Sequence, residues 1–257
     1  RDSVMSEENR YSAPESALYE TRQTGEYGSV ERGLAGDYQI TVGGVISEAW
    51  AAIKGHKLLL NGAGAVLFMI AIVYFAVSAG VNFTLRGPTG EASVVGAVLD
   101  LLVNLAYYAI YGVTTAGLVV LGAKISMNLP AGVAELFRFS NRLLKALATY
   151  ILMMIMVLVG FLLLVIPGIY LAIAYFFALP LAVEKNLSPW QALETSRKAV
   201  THRWFTVAGV FLVLSLSSVL GVLTLGIAFI WLFPLYIVAY GILYRDIFGL
   251  EQDTLSS

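Results

Sequence analysis

The sequence predicts an all-α membrane protein, a polytopic bundle of about six transmembrane helices, and three observations carry that prediction. Of the 257 residues 58% are hydrophobic and only 13% charged, with a mean hydropathy of +0.79. Soluble domains are nearly half apolar and about a quarter charged. The apolar residues gather into uncharged runs long enough to cross about 30 Å of hydrocarbon at roughly 1.5 Å per residue. The bases flanking those runs fall almost entirely on one side. There is no cysteine, which excludes disulfides and thiolate metal sites.

Residues 1–40 hold eight acids and four bases, whereas the remaining residues hold nine acids and twelve bases. The opening stretch is polar, acidic and without helical or strand periodicity, and it continues through Gly25, Gly28, Gly33 and Gly36. Such a composition does not bury enough surface to fold alone, so residues 1–40 read as a disordered acidic cytoplasmic tail. It has no basic segment followed by an apolar core and a small-residue cleavage site, so it does not read as a secretory leader. Met5 is a candidate initiator, with Arg1–Val4 ahead of it.

The first span runs from Leu58 to Leu85 without a charge. Asn82 to Glu91 then carries Gly87, Pro88, Gly90 and two charges, the chemistry of an exposed turn. The second run, Ala92 to Ala123, is interrupted only by Asp100. Ala146 to Val183 is uncharged and as one helix would be about 57 Å long, nearly twice the membrane core, so it folds back. Pro167-Gly168 is the expected turn, because proline removes an amide donor and glycine accepts positive φ. The same length argument makes Trp204 to Tyr244 a hairpin, bent near Gly221 to Gly226. The membrane domain is therefore residues 41–248, followed by a short cytoplasmic tail at 249–257.

Charge placement tests this count separately. With a cytoplasmic amino terminus, the inside segments carry Lys54, Lys57, Lys124, Arg138, Arg142, Lys145, Lys185, Arg197, Lys198, Arg203 and Arg245, and the outside segments carry Arg86 alone. This is the asymmetry of the positive-inside rule. It predicts a multi-pass protein with both termini in the cytoplasm.

Each odd-numbered span follows a short charged, amphipathic segment: Val45 to Lys57, Val133 to Lys145, and Leu193 to Arg203. Glu48, Glu135 and Glu194 stand near their starts, with Lys57, Lys145 and Arg203 nine or ten residues later. The pattern suggests three copies of one unit, an interfacial helix followed by a transmembrane hairpin. The competing reading is that any inward loop between hairpins collects bases. The third segment carries its own start signal, since Ser188-Pro189-Trp190-Gln191 supplies a cap, a proline at the first helical position and a capping-box glutamine.

Leu163-Leu-Val-Ile-Pro-Gly-Ile-Tyr-Leu171, followed by Ala178-Leu-Pro180, Glu184, Ser188-Pro189, Ala192-Leu193 and Ser196, resembles a signature of bacterial membrane proteins. They include the YciC-like family and the membrane domain that precedes some glycerophosphodiester phosphodiesterases. The resemblance runs over roughly residues 40–248 and is strongest between 120 and 210, where the spacing of Pro-Gly, Pro, Glu, Ser-Pro and Ser carries it. It implies a helical inner-membrane protein of unsettled function. The catalytic residues of the phosphodiesterases belong to a separate soluble barrel, so their activity is not carried over.

The sequence holds no phosphate loop with a lysine and no catalytic constellation. No cofactor is expected. The bases are spread over three membrane-proximal segments rather than one nucleic-acid groove, so anionic lipid headgroups are the expected partner, with a protein partner or second copy alongside. The candidate headgroup or partner contacts are Lys54, Lys57, Arg138, Arg142, Lys145, Glu184, Arg197, Lys198 and Arg203, with Arg197 or Lys198 the expected partner of Glu184. His56 and His202 precede spans beside Lys57 and Arg203 and read as interfacial anchors.

Asp100 is costly inside a span and is a functional hypothesis by default. With Asn104, Tyr107, Tyr111 and Thr114 it forms a stripe on one helical face, and Tyr236, Tyr240 and Tyr244 form a second. The two line a polar cavity on one reading; on the other they join helices or anchor at the interface. Gly112 and Ala116 mark the expected close helix approach. These features point first to a non-enzymatic envelope scaffold or accessory protein. Beside it stand a small transporter or channel using the Asp100 stripe and a membrane-embedded lipid enzyme.

Overall fold

The computed structural model describes residues 27–85 and 93–256, and among them every regular element is a helix. In chain order these are α1 (Val30–Ala35), α2 (Val42–Ala52), α3 (Lys57–Thr84), α4 (Val94–Ser126), two 3₁₀ turns (Val133–Phe137 and Ser140–Arg142), α5 (Leu143–Leu163), α6 (Val165–Ala174), α7 (Ala178–Val183), α8 (Pro189–Thr201), α9 (Trp204–Leu223), α10 (Phe229–Phe248) and α11 (Gln252–Leu255). Five helices are long and apolar enough to cross a membrane: α3, α4, α5 with the turns before it, α9 and α10. The chain is thus an all-α, multi-pass membrane protein.

The predicted fourth span is not a single helix. It is divided into the ten-residue α6 and the six-residue α7, with Tyr175 to Phe177 between them. The reversal before it falls at Leu164, which is extended at φ −166° and ψ 156°, three residues ahead of the expected Pro167-Gly168. Pro167 instead sits in the first turn of α6, where its missing amide would have had no partner anyway. Gly168 serves close packing, because a Cβ there would strike the ring of Phe161. The last hairpin bends where the sequence places it: α9 stops at Leu223, and Leu225 (φ 51°) and Gly226 (φ 92°) reverse the chain. Among residues 86–92, outside the described residues, lie Arg86 and most of the predicted first outer turn.

Two further expectations change. The second interfacial segment is not an α-helix but the pair of 3₁₀ turns. Three-residue periodicity eclipses side chains at i and i+3, which sends Leu136 and Phe139 into the core and Arg142 onto the Val183 carbonyl. The predicted tail is structured from residue 27 onward. Ser29 caps α1, α1 packs on α8 and α10, and Tyr38 and Ile40 are buried. Two apolar side chains and one capping serine therefore anchor a stretch that composition alone reads as a tail. The rest of that predicted tail, residues 1–26, lies outside the described residues. At the other end, residues 249–256 also pack onto the protein, with Thr254 buried.

The helices form three units, each an opening segment followed by a hairpin: α2–α3–α4, the 3₁₀ turns–α5–α6/α7, and α8–α9–α10. Each opening segment packs on the closing helix of the unit before it: α2 on α10, the first 3₁₀ turn on α4, and α8 on α7. Each also touches that earlier unit's first long helix, α9, α3 and α5 respectively. The chain thus closes into a ring around a hub where the helix ends carry charge. The far halves of the hairpins are apolar and exposed, as at Phe68, Phe75, Leu101, Leu162, Ile166, Leu216 and Leu225.

Glycines set the closest helix approach. Gly122 of α4 faces Ile237 and Val238, and Gly241 of α10 faces the Gly122–Ala123 backbone so tightly that neither has room for a Cβ. The expected contact at Gly112 is also present, 3.0 Å from Ala146 of α5 for an added Cβ. Inside α10, Pro234 has no amide for the Ile230 carbonyl. Asn61 of α3 fills that place, its Nδ2 donating to Ile230 O at 3.0 Å.

Gly241→Ala is expected to lower unfolding stability by about 2 kcal/mol or more, since the added methyl meets backbone rather than a movable side chain. Gly43→Ala on α2, where nothing lies within 4 Å, is expected to be neutral or stabilising by roughly 0.5 kcal/mol. Thermal unfolding of the two variants in detergent, followed by circular dichroism, checks this; equal midpoints would refute the close crossing.

Candidate functional site

The charged hub is built from cations at the ends of the closing helices. Arg245 of α10 is 2% exposed. It donates to Glu48 Oε1 of α2 at 2.6 Å, to Asp246 Oδ1 at 2.8 Å and to Ser126 Oγ at 2.9 Å, with the Tyr27 ring 4.7 Å from its guanidinium carbon. Lys124 of α4 is fully buried, and its Nζ donates to Glu135 Oε1 at 2.7 Å. The other carboxylate oxygen of Glu135 lies 3.5 Å from Arg138 Nη1. A buried charge without such a partner costs several kcal/mol.

These pairs repeat the ring order of the packing, since the acids of the first two opening segments each take the base that ends the preceding unit. The third position differs. Glu194 of α8 stays with its own helix, bonded to Arg197 at 2.8 Å and Lys198 at 3.3 Å, and hydrogen bonds from Arg197 hold its carboxyl below the usual range. Lys185, after α7, contacts Glu184 at 3.6 Å and Glu251 of the carboxy-terminal segment at 3.2 Å.

Beside that position lies a cleft of about 370 Å³, lined by Arg138, Phe139, Asn141, Arg142, Glu184, Lys185, Asn186, Glu251, Asp253 and Thr254. Glu184 is buried at its inner side, one oxygen accepting from the Tyr244 hydroxyl at 2.9 Å and the other from the Glu251 amide at 2.7 Å. Burial raises its pKa above the ordinary carboxylate value, and Lys185 opposes the shift. Comparison of the chain with known protein families, with curated proteins and with solved structures finds no match. The functional reading therefore rests on this geometry.

Of the predicted contact residues, the cleft gathers Arg138, Arg142 and Glu184, and Lys145 stands at its rim, donating to Asn186 O at 3.1 Å. Lys54 and Lys57 lie exposed at the foot of α3, Lys57 5.7 Å from the Trp231 ring centre. Arg197 and Lys198 belong to the α8 pair, and Arg203 is exposed ahead of α9. The expected partnership of Glu184 with Arg197 or Lys198 is replaced by Lys185 and Tyr244. His56 and His202 meet backbone carbonyls, Ala52 O at 3.2 Å and Leu34 O at 3.0 Å.

The Asp100 end of the stripe closes within its own hairpin. Asp100 Oδ1 accepts from Ser78 Oγ at 2.8 Å and Asn82 Nδ2 at 3.1 Å, and its other oxygen lies 3.2 Å from Asn104 Nδ2. Tyr74 donates to Asn104 Oδ1 at 2.9 Å, and its ring stacks on Tyr107 at 4.0 Å. Tyr111 meets Tyr150 of α5 edge-on, and Thr114 bonds back to Ile110 O. The second tyrosine stripe does not join the first. Tyr236 bonds Ser217 and Leu214 O of α9, Tyr240 stacks on Phe211, and Tyr244 reaches Glu184.

Sequence reasoning missed Arg245, Lys124, Glu251 and Ser78 as members of these networks. Arg245 and Lys124 are visible in the sequence as bases that end apolar runs, and the alignment of Glu48 with Glu135 names their partners, but only the ring order joins them. Glu135→Gln, which removes the carboxylate facing a fully buried lysine, is expected to cost about 3 kcal/mol or more. The double variant Lys124→Met/Glu135→Leu is expected to recover most of that loss, because an apolar pair of similar volume is often as stable. Unfolding midpoints in detergent report both, and a double variant no better than the single would contradict the ion-pair account.

Proposed function

We propose that the protein is a non-enzymatic scaffold or accessory protein of the bacterial inner membrane, whose charged end binds anionic headgroups and whose hairpins stand among the lipid chains. The observation that carries this is repeated at the foot of every hairpin, where a base lies beside a large, strongly exposed apolar side chain. The pairs are Lys57 with Leu58 (89% exposed), Lys145 with Leu144 (82%) and Arg203 with Phe205 (86%). A base beside an apolar anchor suits the boundary between headgroups and hydrocarbon. Trp50 on α2 and Trp190 on α8, both about half exposed, add the amphipathic aromatics favoured at that boundary.

The engagement of Asp100 with Ser78, Asn82 and Asn104 supports a packing role for the stripe over an ion pathway. Its place in the far half of the α3–α4 hairpin, away from Glu184 at the hub, supports a non-enzymatic reading. The sided distribution of bases supports cytoplasmic termini.

Native mass spectrometry of the detergent-purified chain with mixed lipids tests the headgroup reading. Each base near an anionic surface contributes about 1 kcal/mol, so Lys57→Gln/Lys145→Gln/Arg203→Gln is expected to retain anionic lipid on the order of 100-fold less tightly. Unchanged retention would remove the headgroup role. Reporter fusions test orientation: a periplasm-dependent phosphatase is expected to be active when joined after Leu225 and inactive after Ser256, and the reverse would invert the topology.

A further inference from the structure

The carboxy-terminal segment closes one side of the hub cleft, and its chemistry is that of an occupant. Gly249 turns the chain away from α10 with φ 64°. Residues 250–256 then cross the charged end, held by the Glu251 amide on Glu184 Oε1 at 2.7 Å, by Lys185 Nζ on Glu251 Oε1 at 3.2 Å and by Arg138 Nη2 on the Asp253 carbonyl at 2.6 Å. The other walls supply Arg138, Arg142 and Lys185, with the amides of Asn141 and Asn186, against the single carboxylate of Glu184. That carboxylate is already engaged by Tyr244 and the strap amide. The two further acids of the cleft, Glu251 and Asp253, both come from the strap; Glu251 meets Lys185, whereas Arg138 holds Glu135 as well as the Asp253 carbonyl and Arg142 holds the Val183 carbonyl. Glu251 also stands where the ring order of the hub leaves Lys185 without an acid from α8.

We propose that this cleft is a phosphate-binding site in which the acidic strap around Glu251 is a displaceable stand-in, and that a phosphate-bearing anion competes with it for Arg138 and Lys185, with Arg142 lining the same cleft. Two arginines and a lysine flanked by side-chain amides suit phosphate, which accepts forked guanidinium bonds. A volume of about 370 Å³ is at the small end of the roughly 300–1,000 Å³ typical of ligand clefts and takes a headgroup rather than a whole lipid. The exposed Leu144 next to Lys145 at the rim offers an apolar surface for an attached acyl chain. The proposal rests on the headgroup-binding reading above and deepens it, giving one site its occupant and its competitor.

Hydrogen–deuterium exchange over residues 249–256 of the full chain in neutral detergent reads strap release directly. Dioctanoyl phosphatidylglycerol, dioctanoyl phosphatidylcholine and inorganic phosphate serve as the three probes. Phosphatidylglycerol is expected to accelerate exchange there and phosphatidylcholine to leave it unchanged. Glu251→Gln changes an exposed carboxylate, keeps the amide bond to Glu184, and is expected to lower the half-displacing concentration about fivefold. Lys185→Gln is expected to raise that concentration. Displacement by inorganic phosphate at the same concentration as the lipid supports the site with free phosphate as its ligand; displacement by the lipid alone assigns it to a headgroup.

Exchange that stays unchanged with both anions, or a Glu251→Gln chain that responds like the unaltered one, overturns the proposal. If anionic lipid is still retained through Lys57, Lys145 and Arg203 while the strap stays protected, this inference falls and the scaffold reading stands. Loss of the strap response together with all anionic-lipid retention falls on both.

Discussion

Lys124 and Arg245 sit at the ends of two transmembrane helices with almost no exposure, and the placement of the first two opening segments at the hub follows from the need to neutralise them. A cation in such surroundings is tolerated only beside a carboxylate with good geometry. The two carboxylates come from Glu135 and Glu48, on the segments that open the second and first units. Those segments must therefore lie against α4 and α10, which fixes the ring order and leaves the hairpins to point away from a common base. The glycines at the α4–α10 crossing serve the same requirement, since closely crossed backbones bring both helix ends to one place.

Hydropathy made the hairpins legible because lipid imposes a length that sequence must meet. The last bend was readable for a local reason as well: Gly226 accepts a left-handed backbone and draws Leu225 into one beside it. Pro167-Gly168 misled because proline is as much a helix-starting residue as a helix-ending one, and the sequence offers no way to tell its first turn from its last. The break between α6 and α7 left one mark, Pro180 in the first turn of α7, which stands there as Pro167 does in α6 and is as easily taken for a helix end. Residues 27–40 were misread because their ordering depends on Tyr38 and Ile40 finding α8 and the core, a long-range event that local polarity does not report.

The sites show the same division. The Asp100 stripe was visible as periodic polar residues, yet its meaning required Ser78 and Asn82 from the neighbouring helix. The cleft was half visible: Arg138, Arg142, Lys145 and Glu184 stood out as membrane-proximal charges, while Glu251, distant in sequence, joins them only after α10 returns to the hub. Asn61 gave no signal at all, because an asparagine that takes over the carbonyl freed by Pro234 looks in sequence like any polar residue near a helix start.

The α3–α4 hairpin also acts as a ruler. Lys57, at the foot of α3, and Ser78, which holds Asp100, are 21 residues apart, about 32 Å along a helix axis. That is close to the thickness of bilayer hydrocarbon. The α3–α4 hairpin is therefore long enough to carry Ser78, Asn82 and Asp100 a full hydrocarbon thickness away from Lys57. An ionisable group set that far along the hairpin, and already held by Ser78, Asn82 and Asn104, is not a lone charge in the middle of an apolar run.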